Sequence, residues 1–91
     1  DDADLVALFA WTQEEFERRM EGSAIRRIGY ARWLRNLAVG LGNANYDAAI
    51  VAALAARCDD PSPLVREHVA WALIQQEQKR ASPGRPLASR R

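Results

Sequence analysis

Arg26, Arg27, Arg32 and Arg35 fall within ten consecutive positions of the stretch Ser23-Ala24-Ile25-Arg26-Arg27-Ile28-Gly29-Tyr30-Ala31-Arg32-Trp33-Leu34-Arg35-Asn36. A guanidinium grips phosphate as a planar fork and stacks on bases, so such a cluster has the chemistry of a polyanion site. The charge is local. Residues 1–21 carry Asp1, Asp2, Asp4, Glu14, Glu15, Glu17 and Glu21 against Arg18 and Arg19, residues 22–36 carry no acid, and the whole chain nets only +1. The competing account is a solvated face whose arginines pair with Glu14, Glu15, Glu17 or Glu21, contacts of small energetic weight.

Other reactive side chains are sparse. One cysteine, Cys58, allows no disulfide within the chain and no thiolate cluster, and points to a reducing, cytoplasmic compartment. One histidine, His68, has no second imidazole to complete a metal site. Asp59 and Asp60 sit beside Pro61, where capping and turn formation account for both carboxylates. No Ser/His/Asp constellation, Walker-type loop or dinucleotide fingerprint occurs, so the residues offer binding rather than a catalytic centre. No apolar run reaches the roughly 18–20 residues of a membrane span and no secretory signal is present. The 91 residues suit one domain with one core. With no initiator methionine and an acidic, helix-like start, the chain reads as a piece of a larger protein.

Helical spacing positions these groups. Leu5, Leu8 and Phe9 predict a short helix over 3–10. Thr12 and Glu15 have capping-box spacing ahead of a helix carrying Phe16 and Met20, which Gly22-Ser23 ends. From Ile28 to Gly42, Tyr30, Trp33, Leu34, Leu37 and Leu41 make one apolar stripe, with Arg32, Arg35, Asn36, Val39 and Asn43 opposite. This leaves Arg26 and Arg27 in a loop before the helix. Gly40 predicts close helix packing and Gly42-Asn43 a C-terminal stop. Asp47 caps a helix whose apolar face is Ile50, Val51, Leu54, Ala55 and Cys58. Ser62 and Pro63 start a last helix to about Gln78, with Val65, Val69, Ala72 and Leu73 inward. No segment alternates with period two. The expectation is an all-α chain of about five helices: one domain over 1–80, then a disordered basic tail over 81–91 that includes Arg85, Arg90 and Arg91.

A weak internal repeat sharpens the fold. Asn36-Leu37-Ala38-Val39-Gly40-Leu41 lies on His68-Val69-Ala70-Trp71-Ala72-Leu73 at a shift of 32 residues. That period, with the Asp60-Pro61-Ser62-Pro63-Leu64-Val65-Arg66 turn, suits a HEAT-like helical-repeat array. Helices 30–42 and 63–78 are then equivalent, with 48–58 behind them. Asn36, Val39 and Asn43 share a surface with His68, Trp71 and Gln75, whereas Trp33 falls in the core.

The runs Glu21 to Tyr30, Arg32 to Asn36, Ala38 to Ala44, Tyr46-Asp47, Ala49 to Leu54 and Asp60 to Leu73 resemble the C-terminal part of the epoxyqueuosine reductases. The resemblance covers roughly residues 5–76. It implies a parent oxidoreductase that uses cobalamin and two [4Fe–4S] clusters to remove the epoxide oxygen of epoxyqueuosine at the tRNA wobble position. The cluster cysteines and acid catalyst of that family lie upstream of this segment, so this chain carries no cofactor and no reaction centre. Its implied partners are tRNA, at the anticodon region, and the upstream catalytic domain; it is expected to be monomeric and away from membranes. With tRNA as the polyanion, Arg26, Arg27, Arg32 and Arg35 become phosphate contacts. Ser23, Asn36 and Asn43 become shorter polar contacts, and His68 and Trp71 contacts to a ribose or base. The alternative is a structural, protein-interaction module that clamps the catalytic domain without touching RNA.

Overall fold

Polar caps and apolar stripes divide residues 1–81, which the computed structural model describes, into five α-helices and one short 3-10 helix. They are α1 (Asp2–Phe9), α2 (Gln13–Arg19), the 3-10 helix (Ala24–Ile28), α3 (Tyr30–Asn43), α4 (Ala48–Ala55) and α5 (Pro63–Ala81). The described residues contain no strand, and the fold is all-α as the periodicity predicts. The proposed tail lies outside the described residues except for Ala81, which closes α5.

The caps form where the sequence places them. The Glu15 amide donates to Thr12 Oγ1 at 3.1 Å and the Thr12 amide to Glu15 Oε1 at 3.1 Å, a reciprocal pair that satisfies two helix-end donors. Asp47 Oδ1 accepts from the Ala49 amide at 2.8 Å, and Ser62 Oγ from the Val65 amide at 3.3 Å.

The core is built on α3. Trp33, Leu34, Leu37 and Leu41 are buried, joined by Phe9 of α1, Phe16 of α2, Ile50 and Leu54 of α4, and Val65, Val69 and Ala72 of α5. Trp33 stacks on Trp11, with ring centroids 5.7 Å apart, and meets the Phe16 ring at 5.3 Å. It is a core residue as its place in the stripe predicts.

α3 and α5 lie side by side and run in the same direction. Tyr30, Ala31 and Arg32 neighbour Ser62 and Leu64 at the start of both helices, and Gly42 meets Trp71 and Ala72 further along. α4 provides the return, packing on α5 and α1.

α3 ends at Asn43, where the Gly42-Asn43 stop places it, and Gly42 also serves packing. A Cβ there would stand 2.6 Å from Trp71 Cζ3 and 2.9 Å from Ala72 Cα, so the bare backbone permits the close approach. The carbonyls released at the end of α3 turn to α5. Gln76, fully buried, donates from Nε2 to the carbonyls of Leu41 (2.9 Å), Ala44 (3.0 Å) and Asn45 (3.3 Å), and accepts from the Asp47 amide at 3.1 Å. Lys79 Nζ adds bonds to the Gly42 and Ala44 carbonyls at 2.8 and 2.7 Å.

The apolar face expected for α4 is narrower than expected. Ile50 and Leu54 are buried and Val51 half-buried, but Ala55 and Cys58 are exposed. The helix ends at Ala55, so the 3.6-residue register no longer carries Cys58 to the core side.

Candidate nucleic-acid interface

The candidate residues fall into three groups. The first is the 3-10 helix. Ser23 Oγ accepts from the Ile25 amide at 3.1 Å and so starts that turn. Gly22, at φ +82°, and Gly29, at φ +90°, bound it with backbone that L side chains rarely adopt. Arg26 and Arg27 therefore sit on a short helix, not in the loop expected from sequence. Both are exposed, and they line a concavity with Gly22, Ser23 and Ala24. Arg26 Nη2 lies 3.2 Å from Glu17 Oε1, so one of the ion pairs weighed against phosphate binding does form.

The second group is the outer stripe of α3. Arg32 is exposed and Arg35 half-buried, with Asn36 beside it; Arg35 Nε donates to Asn36 Oδ1 at 2.8 Å. This bond holds the guanidinium along the helix and leaves its terminal nitrogens uncommitted. Arg32 borders a concavity with Gln13, Asp60, Pro61, Ser62 and Leu64. Asp60 is nonetheless directed to Arg57 (3.4 Å) and to the Ser62 amide (3.0 Å). Among the described residues, Arg27, Arg32 and Arg35 have no carboxylate oxygen within 4.0 Å, whereas Arg26, Arg57 and Arg80 do. The stripe from Arg32 to Asn43 extends about 16 Å at the α-helical rise of 1.5 Å per residue.

In the third group α3 meets α5. Val39 and Asn43 come together with His68 and Trp71 in one cleft, as the repeat alignment predicts, and Glu67 joins them. Asn36 and Gln75, expected on the same surface, do not line it. His68 Nδ1 lies 2.8 Å from the Leu64 carbonyl; since the carbonyl only accepts, Nδ1 carries the proton. Trp71 is 37% exposed, with one ring edge set against Gly42. Glu67 escaped the sequence reading because a lone carboxylate on a solvated helix has no distinguishing period. Its place one turn before Trp71 is the signal that could have found it.

Two polar residues inside the fold support these surfaces. Arg57 Nε donates to the Phe9 carbonyl and Nη2 to the Trp11 carbonyl, both at 2.7 Å, and its guanidinium lies over the Phe9 and Tyr30 rings at 5.4 and 5.8 Å. The Tyr30 hydroxyl also donates to the Trp11 carbonyl. Burial pushes the Tyr30 phenol above its ordinary value, against the lowering influence of Arg57.

Neither cofactor implied by the resemblance finds matching donors here. A [4Fe–4S] cluster takes four thiolates, and the single Cys58 is exposed. Among the described residues no group of three or more His, Cys, Asp or Glu side chains could hold a metal ion. Among the described residues, the one buried side-chain polar atom without a partner is Trp33 Nε1, an indole donor inside the core. No described helix is long and apolar enough to cross a membrane.

No family model and no solved structure matches the chain. Curated proteins do. It is 66% identical, over 85 aligned positions and 80% of its length, to an epoxyqueuosine reductase of Burkholderia pseudomallei. It is 62% identical to that of Pseudomonas aeruginosa over 80% of the chain, and 54% identical to that of Escherichia coli over 85%. The chain spans only 21%, 20% and 20% of those proteins.

Proposed function

We propose that the chain, 54–66% identical to a segment of epoxyqueuosine reductases, is the part that docks tRNA for chemistry performed elsewhere in the protein. In this reading the helices form a HEAT-like array, supported by the parallel contact of α3 and α5 at a shift of 32 residues. The full protein is an oxidoreductase that converts epoxyqueuosine to queuosine at the tRNA wobble position, with its cobalamin and iron–sulfur clusters held outside this segment.

One observation carries the docking role. Arg27, Arg32 and Arg35 reach solvent without a carboxylate partner, and two of them lie on the α3 stripe that continues to Asn43 and the Trp71 cleft. Core packing does not need these charges, because the opposite side of α3 supplies the core. Arginines fixed at helical spacing hold phosphates and orient the RNA without choosing its sequence. Arg26 contributes once Glu17 releases it; Ser23, Asn36, Asn43, His68 and Trp71 add short contacts.

Measuring tRNA binding at low and moderate salt tests this. The double variant Arg32→Ala/Arg35→Ala should bind roughly three- to thirtyfold more weakly at low salt, the scale of two exposed charge contacts, with a shallower salt dependence. Unchanged binding sinks the docking role. It would favour the second reading, a module that clamps the catalytic domain, for which Ile74, 54% exposed on α5, is the supporting observation.

A further inference from the structure

The cleft between α3 and α5 combines an aromatic surface with a carboxylate and has no cation in its lining. Val39, Asn43, Glu67, His68 and Trp71 surround a space of about 350 Å³, enough for one heterocycle. Gly42 seats the Trp71 indole, since any Cβ would collide with Cζ3 at 2.6 Å, so the ring is held against α3 while part of it stays open. Glu67 precedes Trp71 by one helical turn and projects from the same face of α5. An ionised carboxylate accepts only, and the His68 ring, with its proton on Nδ1, offers Nε2 as a second acceptor in its neutral form. A phosphate would meet a negative charge and no counter-charge in this cleft.

We propose that the cleft receives an unpaired guanine of the bound RNA, stacked on Trp71 and hydrogen-bonded through N1–H and N2–H₂ to the Glu67 carboxylate. Guanine alone among the four bases turns two adjacent donors toward one carboxylate. Adenine and cytosine place a ring acceptor beside their single amino group, and uracil flanks its N3–H with two carbonyls, each of which opposes an oxygen of Glu67. The reading rests on tRNA docking for its source of guanine. Arg35 and Arg32, four and seven residues before Val39 on α3, then hold flanking phosphates outside the cleft.

The test is an NMR titration of the chain with the 5′-monophosphates of guanosine, adenosine, cytidine and uridine, which share one phosphate and differ in base. GMP should shift the Trp71 indole N–H and the amides of Asn43, Glu67 and His68, on the order of tenfold more tightly than the others, the scale of one good bidentate base contact. Glu67→Gln should bring GMP to the level of the others, and Trp71→Ala should remove all four responses. An RNA decamer with one guanine among uracils should bind more tightly than GMP and lose that gain in Arg32→Ala/Arg35→Ala. Equal responses to all four nucleotides, no response at the cleft, or a guanine preference that survives Glu67→Gln overturns the site. A guanine preference in mononucleotides without any gain in the decamer overturns the RNA source. The site and the docking role fail separately, because the mononucleotide series does not depend on the arginines.

Discussion

Gly42 marks a point where two helices leave no room for a side chain. Helix α5 approaches so closely that a methyl group has no vacancy, and the nearest obstacles are an indole carbon at 2.6 Å and a backbone carbon at 2.9 Å. The backbone cannot swing aside as a flexible side-chain tip would. Gly42→Ala should therefore destabilise the fold by about 1–3 kcal/mol, the usual cost of overpacking, despite the better helix propensity of alanine. Urea denaturation followed by circular dichroism measures this, and a stability equal to wild type would contradict the close approach. Tyr30 has a different vulnerability, to pH. Burial raises its phenol pKa, so the folded state binds that proton more tightly than the unfolded state does. The associated stability is complete below the unfolded value of about 10 and is lost as pH rises through the higher folded value. Thermal melts between pH 9 and pH 11 should show a steeper alkaline fall for wild type than for Tyr30→Phe. The variant should start less stable, because it loses the bond to the Trp11 carbonyl.

Among the helices, what the sequence makes legible follows the strength of the contrast between faces. α3 is readable because a broad apolar stripe stands opposite arginine and asparagine. The burial of Trp33 follows from spacing alone. α4, Ala-Ala-Ile-Val-Ala-Ala-Leu-Ala, is apolar all round, so period does not select a face, and the exposure of Ala55 and Cys58 depends on where the helix stops. The 3-10 helix has exposed Ile25 and Ile28 and no stripe, and is legible only as a break before Gly29. Gln76 is hidden for another reason: its partners are carbonyls at and after the end of α3 and an amide, 29–35 residues away, which no local pattern encodes. Arg57 belongs to the same class. It joins carbonyls at and just after the end of α1 to the turn that precedes α5, through hydrogen bonds from a largely buried guanidinium. Arg57→Ala should cost about 2–4 kcal/mol, the range for charged hydrogen bonds left without a donor. Arg26→Ala, which breaks only an exposed pair, should stay within about 1 kcal/mol. Parallel denaturation curves of the two variants check the contrast; equal losses would mean that Arg57 does not link these connections.

Charge at the scale of the whole molecule is an unequal pairing between neighbours. The acidic α2 faces the 3-10 helix and engages Arg26 through Glu17, while Arg27, Arg32 and Arg35 remain outside that embrace. Three of the four clustered arginines are thus available to a polyanion, and the fourth is held by an exposed contact weak enough for a phosphate to displace. The sequence shows four equivalent charges; only the fold separates the paired one. If tRNA docks here, Glu17→Gln should strengthen binding and steepen its salt dependence, since it removes a repulsive carboxylate and frees Arg26 without touching the core. The slope of log K against log salt should gain somewhat less than one unit, the scale of one added phosphate contact. Arg27→Ala should lower the slope by about one unit and Arg26→Ala by less. Salt titrations of tRNA binding on these three variants would rank the arginines by their freedom from carboxylates. Equal slopes for Arg26→Ala and Arg27→Ala, with no gain for Glu17→Gln, would show that the Glu17 contact does not regulate the basic surface.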